Sequence, residues 1–146
     1  MERRTILLVE DNPDDEELTK RALIKSNIVN QVDVAHDGQE AIDYLFAKGK
    51  YKDRDIRDLP VLILLDLKLP KMDGLDVLRA VRAQDWTRLL PVVILTSSKE
   101  DEDIIKSYRL GANSYVVKPV DFKQFSEAIV TLGIYWLVLN EPPHLP

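Results

Sequence analysis

Short aliphatic runs alternate with helical patterns along this chain, and that alternation constrains the fold more than any other feature. Thr5-Ile6-Leu7-Leu8-Val9, Val61-Leu62-Ile63-Leu64-Leu65 and Val92-Val93-Ile94-Leu95 are apolar at almost every position. Such runs leave no wet face, so they read as strands covered on both sides. Val32-Asp33-Val34-Ala35 and Tyr115-Val116-Val117 are weaker runs of the same kind. Between them lie helix signals. Asn12-Pro13 is a cap with proline at the first helical position, ahead of a helix through Glu17-Leu18 to Ile24. Asp37 with Glu40, Ser97 with Glu100 and Asp121 with Gln124 have the spacing of capping boxes. Leu75, Val77, Leu78 and Val81 mark a further helix after the third run. The order βαβαβαβαβα predicts an α/β fold: a doubly wound, five-stranded parallel sheet with five helices on its two faces. Right-handed crossovers favour the strand order 2-1-3-4-5. Its ligand site then falls at the carboxyl ends of strands 1 and 3, where the order reverses.

The 146 residues fit one domain, 1–146, with an extended last helix over 122–140 and a tail over 141–146. No cysteine is present, which excludes disulfides, thiolate metal sites and cysteine nucleophiles. Net charge is −5 with no long Lys/Arg block, which argues against a nucleic-acid partner. No apolar run is long enough to span a membrane, and acids follow the first run at once, so neither a membrane segment nor a secretory signal is expected. A cytoplasmic location follows from these features. The polar stretch Gly49 to Asp58 reads as an extended surface loop, and Trp86 falls in the connection between helix 3 and strand 4.

The chemically loaded residues stand at strand ends. Glu10 and Asp11 follow strand 1, and Asp66 follows strand 3. In the expected topology these strands are neighbours, so three carboxylates converge. Their repulsion raises at least one pKa unless a cation intervenes, and hard oxygen ligands suit Mg²⁺. Taken alone, Glu10 and Asp11 also fit simple complementarity to a helix dipole, the role assigned to Asp14 through Glu17. Thr96 ends strand 4 and Lys118 ends strand 5, on the same sheet edge. Singly they read as a helix cap and a solvated charge. Together, a hydroxyl and an ammonium facing carboxylates point to a site for a dianionic group. His36, at the end of strand 2, and His144, in the proline-rich tail, carry no catalytic assignment.

Glu10-Asp11-Asn12-Pro13, Asp66 with Leu69-Pro70 and Met72-Asp73-Gly74, Leu95-Thr96-Ser97-Ser98 and Lys118-Pro119 resemble, in order and spacing, a response-regulator receiver domain of the flavodoxin-like class. The match covers roughly residues 3–132. The long loop before strand 3, the segment Lys118 to Phe122, and the ending Tyr135-Trp136-Leu137 to Asn140-Glu141-Pro142-Pro143 resemble the stand-alone response regulators paired with cyanobacterial phytochromes. The resemblance implies a phosphorelay switch protein rather than an enzyme. Asp66 would accept a phosphoryl group from a sensor histidine kinase of the phytochrome type. Mg²⁺ would be held by Glu10, Asp11, Asp66 and the backbone carbonyl of Lys68. Lys118 and Thr96 would contact phosphoryl oxygens, and Thr96 with Tyr115 would form the switch. Lys68 and Ser98 would tune the lifetime of the phosphoryl group. Without the resemblance, Tyr115 reads as an ordinary strand aromatic.

Phe122, Phe125, Ile129, Leu132, Trp136 and Leu139 fall in one stripe of about 100° at helical period, expected to face the sheet. Val130, Ile134, Leu137 and Val138 form a second apolar patch nearly opposite, which predicts a homodimer through helix 5 and its neighbours, and the family resemblance implies pairing through the helix 4–strand 5–helix 5 face. Three other functions compete with the phospho-switch. An aspartyl-nucleophile hydrolase wants a second acid two residues after Asp66, where Lys68 stands. A flavin or nucleotide module wants Gly, Ser and Thr after strand 1, where acids stand. A receiver-like module acting without phosphorylation remains open.

Overall fold

The aliphatic runs form five parallel strands in the computed structural model, which describes residues 5–25 and 31–143. They are β1 (Thr5–Val9), β2 (Gln31–Ala35), β3 (Leu62–Leu65), β4 (Val92–Thr96) and β5 (Ser114–Val117). The sheet order is β2-β1-β3-β4-β5, as the alternation predicts. Every residue of β1, β3 and β4 is buried, whereas the edge strands β2 and β5 are mostly half-buried. The weaker apolar runs are thus the edge strands, which have one lateral neighbour instead of two.

Successive strand residues point to opposite faces. Leu7, Val9, Ile63, Leu65 and Ile94 pack with α2 (Gly38–Leu45) and α3 (Gly74–Ala83). Ile6, Leu8, Leu62, Leu64, Val93 and Leu95 pack with α1 (Pro13–Lys25) and α5 (Phe122–Ile134). No helix among the described residues is long and apolar enough to cross a membrane. Register sets the site: Val9 pairs with Leu65, so Glu10 and Asp66 leave adjacent strands at one level. Thr96 pairs with Val117, which brings Lys118 to the same edge.

Local chemistry starts the helices. Asn12 Oδ1 accepts from the N–H groups of Asp14 and Asp15 at 2.9 and 3.1 Å, ahead of Pro13. Asp37, Asp73 and Asp121 each accept the amide three residues on. The return bond of the Asp37 box lands one residue early, from the His36 N–H to Glu40 Oε1 at 3.1 Å. The Ser97–Glu100 box does not form. Helix α4 runs Asp101–Arg109, and Ser98 Oγ accepts from the Glu100 N–H at 3.3 Å instead. The serine at 98 wins because its hydroxyl also reaches Asp103 inside the helix, at 2.6 Å.

The loop after α2 is more than surface padding. It contains one 3₁₀ turn, Gly49–Tyr51, and returns onto α2. Tyr51 donates to Glu40 Oε2 at 2.7 Å, and the Arg54 guanidinium stacks 4.1 Å over the Tyr44 ring. Trp86 Nε1 donates to the Ile56 carbonyl at 2.7 Å, tying this loop to the α3–β4 connection.

The last helix departs most from its sequence pattern. It is α-helical over Phe122–Ile134 and continues as a π-helical turn over Tyr135–Leu139. Buried positions are Phe125, Ile129, Gly133 and Leu137, spaced by four. A strict α-helix overshoots a full turn at each four-residue step. The wider π turn reverses that drift and brings Leu137 back to the core. Leu137, expected on the outer patch, is therefore 7% exposed, while Phe122 and Leu139, expected against the sheet, are 72% and 69% exposed.

Gly74 fixes α3 against the site. A Cβ there would lie 2.2 Å from the Asp66 carbonyl oxygen, closer than any contact allows. Gly74→Ala must displace either α3 or the strand end carrying Asp66. A loss of about 2–3 kcal/mol is expected, read as a lower urea midpoint at unchanged m-value.

Candidate functional site

The order reversal between β1 and β3 opens the sheet edge where Glu10, Asp11 and Asp66 emerge. One carboxylate oxygen from each of the three lies within 4.8 Å of the others. Glu10 and Asp66 are buried and Asp11 is exposed, so the trio runs from the interior to the mouth. Backbone geometry holds the two inner acids: the Asn12 N–H donates to Glu10 Oε2 at 3.1 Å, and the Lys68 N–H donates to Asp66 Oδ1 at 3.3 Å. All donors are hard oxygens, a set that fits a divalent cation such as Mg²⁺ or Mn²⁺.

Lys118 arrives from the end of β5. Its Nζ donates to Glu10 Oε1 at 2.7 Å and to Asp15 Oδ2 and Asp66 Oδ2 at 2.8 Å each. The lysine side chain is only 8% exposed. Burial works against the ammonium, but the hydrogen bonds it donates to Asp15, Asp66 and Glu10 together outweigh it and hold its pKa above the ordinary lysine value. Burial also pushes the Glu10 carboxyl up to about 7, against the opposing pull of Lys118.

Thr96 ends β4 and is fully buried; its Oγ1 accepts from the Ser98 N–H at 3.4 Å. Tyr115 is half-buried on β5, and its hydroxyl donates to the Ser98 carbonyl at 3.0 Å. Lys68 lies over the mouth, with Nζ 3.7 Å from Asp103 Oδ2, the oxygen that also accepts from Ser98 Oγ. Asp66, Glu10, Asp11 and Lys118 thus converge in one pocket, with Thr96, Tyr115 and Lys68 around it. Val130, Ile134, Leu137 and Val138 lie elsewhere, on the last helix. His36 is exposed and pairs with Glu16 Oε1 at 2.8 Å, outside the pocket; His144 lies outside the described residues.

Two residues of the site escape the sequence pattern. Asp15, assigned only to the helix dipole, is an ion-pair partner of Lys118. Asp103, an ordinary first-turn acid of α4, joins the β3–α3 loop to the β4–α4 loop. Neither has a local signal, because acids in first helical turns are common for another reason.

Residues 6–130 match the family model described as the response regulator receiver domain, and the chain belongs to that family. Members are phosphoacceptor switches that work with sensor histidine kinases. The chain is 37% identical to the probable methanogenesis regulatory protein FilR2 of Methanothrix harundinacea, over 94% of this chain and 86% of that protein. It is 36% identical to the response regulator Rcp1 of Synechocystis, over 92% of this chain and 89% of that protein. Among solved structures, the phosphorylated cyanobacterial phytochrome response regulator RcpA superposes with a TM-score of 0.92 at 36% identity, covering 98% of this chain and all of that one, 100%. The Mn²⁺-bound form of Rcp1 superposes with a TM-score of 0.90 at 35% identity, over 97% and 99%. The bacteriophytochrome response regulator RtBRR is 55% identical, with a TM-score of 0.77, over 97% and 85%.

Lys118 neutralises the pocket, so removing its charge leaves buried acids facing one another. Lys118→Met is expected to cost about 3–5 kcal/mol at neutral pH in chemical denaturation. The unpaired carboxylates then take protons more readily, so the difference from the parent protein shrinks as the pH is lowered toward 5. Added Mn²⁺ raises the melting temperature of the variant by more than that of the parent. An unchanged denaturation midpoint contradicts the neutralising role.

Proposed function

We propose that this chain is a phosphorelay switch whose phosphoacceptor is Asp66, charged by a sensor histidine kinase of the phytochrome type. The observation that carries this reading is the pairing of Asp66 Oδ2 with the buried Lys118 Nζ at 2.8 Å, beside two further acids suited to a divalent cation. A carboxylate so placed is a nucleophile with a cation on hand for the arriving charge. Asp66 attacks the phosphorus of a phosphohistidine; the new O–P bond forms as the P–N bond breaks, and the histidine leaves with a proton. Lys118 turns toward a phosphoryl oxygen, and Thr96 Oγ1 donates to another. Glu10, Asp11, Asp66 and the Lys68 carbonyl would hold Mg²⁺, which when bound offsets the charge of the transferring group. The likeness to RcpA, Rcp1 and RtBRR supports the phytochrome class of kinase. A kinase drawing on ATP places the exchange in the cytoplasm.

A phosphoryl group adds roughly −1.5 to −2 charges. It shifts the protein only through contacts that differ between two states. Thr96 and Tyr115 supply them: Thr96 moves to the phosphoryl group, and Tyr115 gives up the Ser98 carbonyl and turns inward. Output is a protein contact rather than nucleic-acid binding, and a second copy of the chain is its first partner. Ile134 and Val138 on the last helix expose 42% and 53% of their surface, apolar area suited to pairing, and Ile105 and Tyr108 on α4 expose 49% and 51%. Val130 is half-buried in the cleft between α1 and α5, and Leu137 is withdrawn into the core.

Phosphate uptake from acetyl phosphate or a phytochrome-type kinase, with Mg²⁺ present, is expected to disappear in Asp66→Asn. Equal labelling of that variant removes Asp66 from the role. Sedimentation velocity tests the pairing: Ile134→Asp is expected to weaken self-association by at least tenfold, roughly 1.4 kcal/mol. A variant that sediments like the parent protein means that the apolar face serves something else.

A further inference from the structure

We propose that Asp15 is a positioning residue for Lys118, anchoring the ammonium beside Asp66 while the phosphoryl group arrives. The inference rests on Asp66 being the phosphoacceptor. An ammonium has three donors. Here each has one acceptor: Glu10 at 2.7 Å, Asp15 at 2.8 Å and Asp66 at 2.8 Å. The three carboxylates are not equivalent. Asp66 is the reacting group, and Glu10 belongs to the acidic trio. Asp15 belongs to neither, so its bond to Lys118 is the one that the reaction leaves in place.

The backbone of Asp15 is held on both sides. Its N–H donates to Asn12 Oδ1 at 3.1 Å, and its carbonyl accepts from Thr19 Oγ1 at 2.7 Å. Thr19 is itself buried, at 1% exposure. The carboxylate therefore hangs from a fixed point of α1 and reaches across to a residue from the end of β5. Lys118 needs such an anchor. A free lysine side chain loses rotamer freedom when it is ordered. Holding the ammonium in place beforehand removes that cost from the transfer step. Asp14 is the natural comparison. It lies in the same first turn and faces the same helix dipole, but it is exposed and has no ion pair among the described residues.

The test uses the full chain and acetyl phosphate with Mg²⁺. Asp15→Ala is expected to slow phosphoryl uptake about tenfold, with Asp15→Asn intermediate because its amide oxygen still accepts from Lys118. Asp14→Asn is expected to match the parent protein. In a Lys118→Met background, Asp15→Ala is expected to add no further loss, since it acts through the lysine. A second readout needs no phosphate: the acylation rate of the Lys118 amine, followed by peptide mass spectrometry, rises several-fold in Asp15→Ala. Parent-like uptake in Asp15→Ala, a further loss on top of Lys118→Met, or unchanged Lys118 reactivity each overturns the proposal. If the parent protein itself takes up no phosphate, the phosphoacceptor reading fails first, and the positioning role falls with it.

Discussion

One buried ammonium holds the functional end of this molecule together. Glu10, Asp15 and Asp66 come from two strand ends and a helix, and their like charges repel at short range. Lys118 meets all three with one donor each, and the desolvation of its charge is offset only because every donor is used. The parallel sheet makes the meeting possible. Strand register sets Glu10 beside Asp66, and β4 carries β5 to the same edge, where Lys118 begins. A slip of one residue in any of these strands would exchange the side chains that face the two helix layers and separate the charges. The stability of the core and the chemistry of the pocket therefore depend on the same register.

Around this centre runs a ring of weaker contacts. The Lys68 N–H touches Asp66, the Lys68 ammonium faces Asp103, Asp103 holds Ser98, and Ser98 meets both Thr96 and Tyr115. Each link is a hydrogen bond or a partly exposed ion pair, worth roughly 0.5–3 kcal/mol. That scale suits a switch. A dianionic group on Asp66 competes for the same donors, and contacts this weak can be exchanged without unfolding β4 or β5, whose aliphatic cores are far costlier to move. Arg82 keeps the far side rigid: its guanidinium donates to the carbonyls of Arg88, Leu90 and Gly111 and to Asn113 Oδ1, clamping the turn that leads into β5.

Much of this was legible in the residues. Runs of aliphatics can be satisfied only as strands covered on both faces, so their count and order led to the sheet. Asp66 stood out because an acid directly after a buried strand has no structural need to be there. Glu10, Asp11, Thr96 and Lys118 followed from the shared sheet edge. The start of α4 and the path of the last helix were misread for a common reason. Several local solutions were close in energy, and a contact from elsewhere decided between them: Ser98 with Asp103 at α4, and the sheet with Leu137 at the π turn.

By itself the sequence determined which segments pair, which faces are buried and which charged groups reach the carboxyl edge. These follow from local periodicity and from the cost of exposing apolar surface. Only the tertiary structure decided that Asp15 shares Lys118 with Glu10 and Asp66, that Asp103 bridges two loops, and that Leu137 turns inward while Leu139 turns out. The Asp15 and Lys118 partners are 103 residues apart. An ion pair across that distance has no period and no motif. It depends on where two backbones come to rest, and that position is set by the packing of the whole sheet.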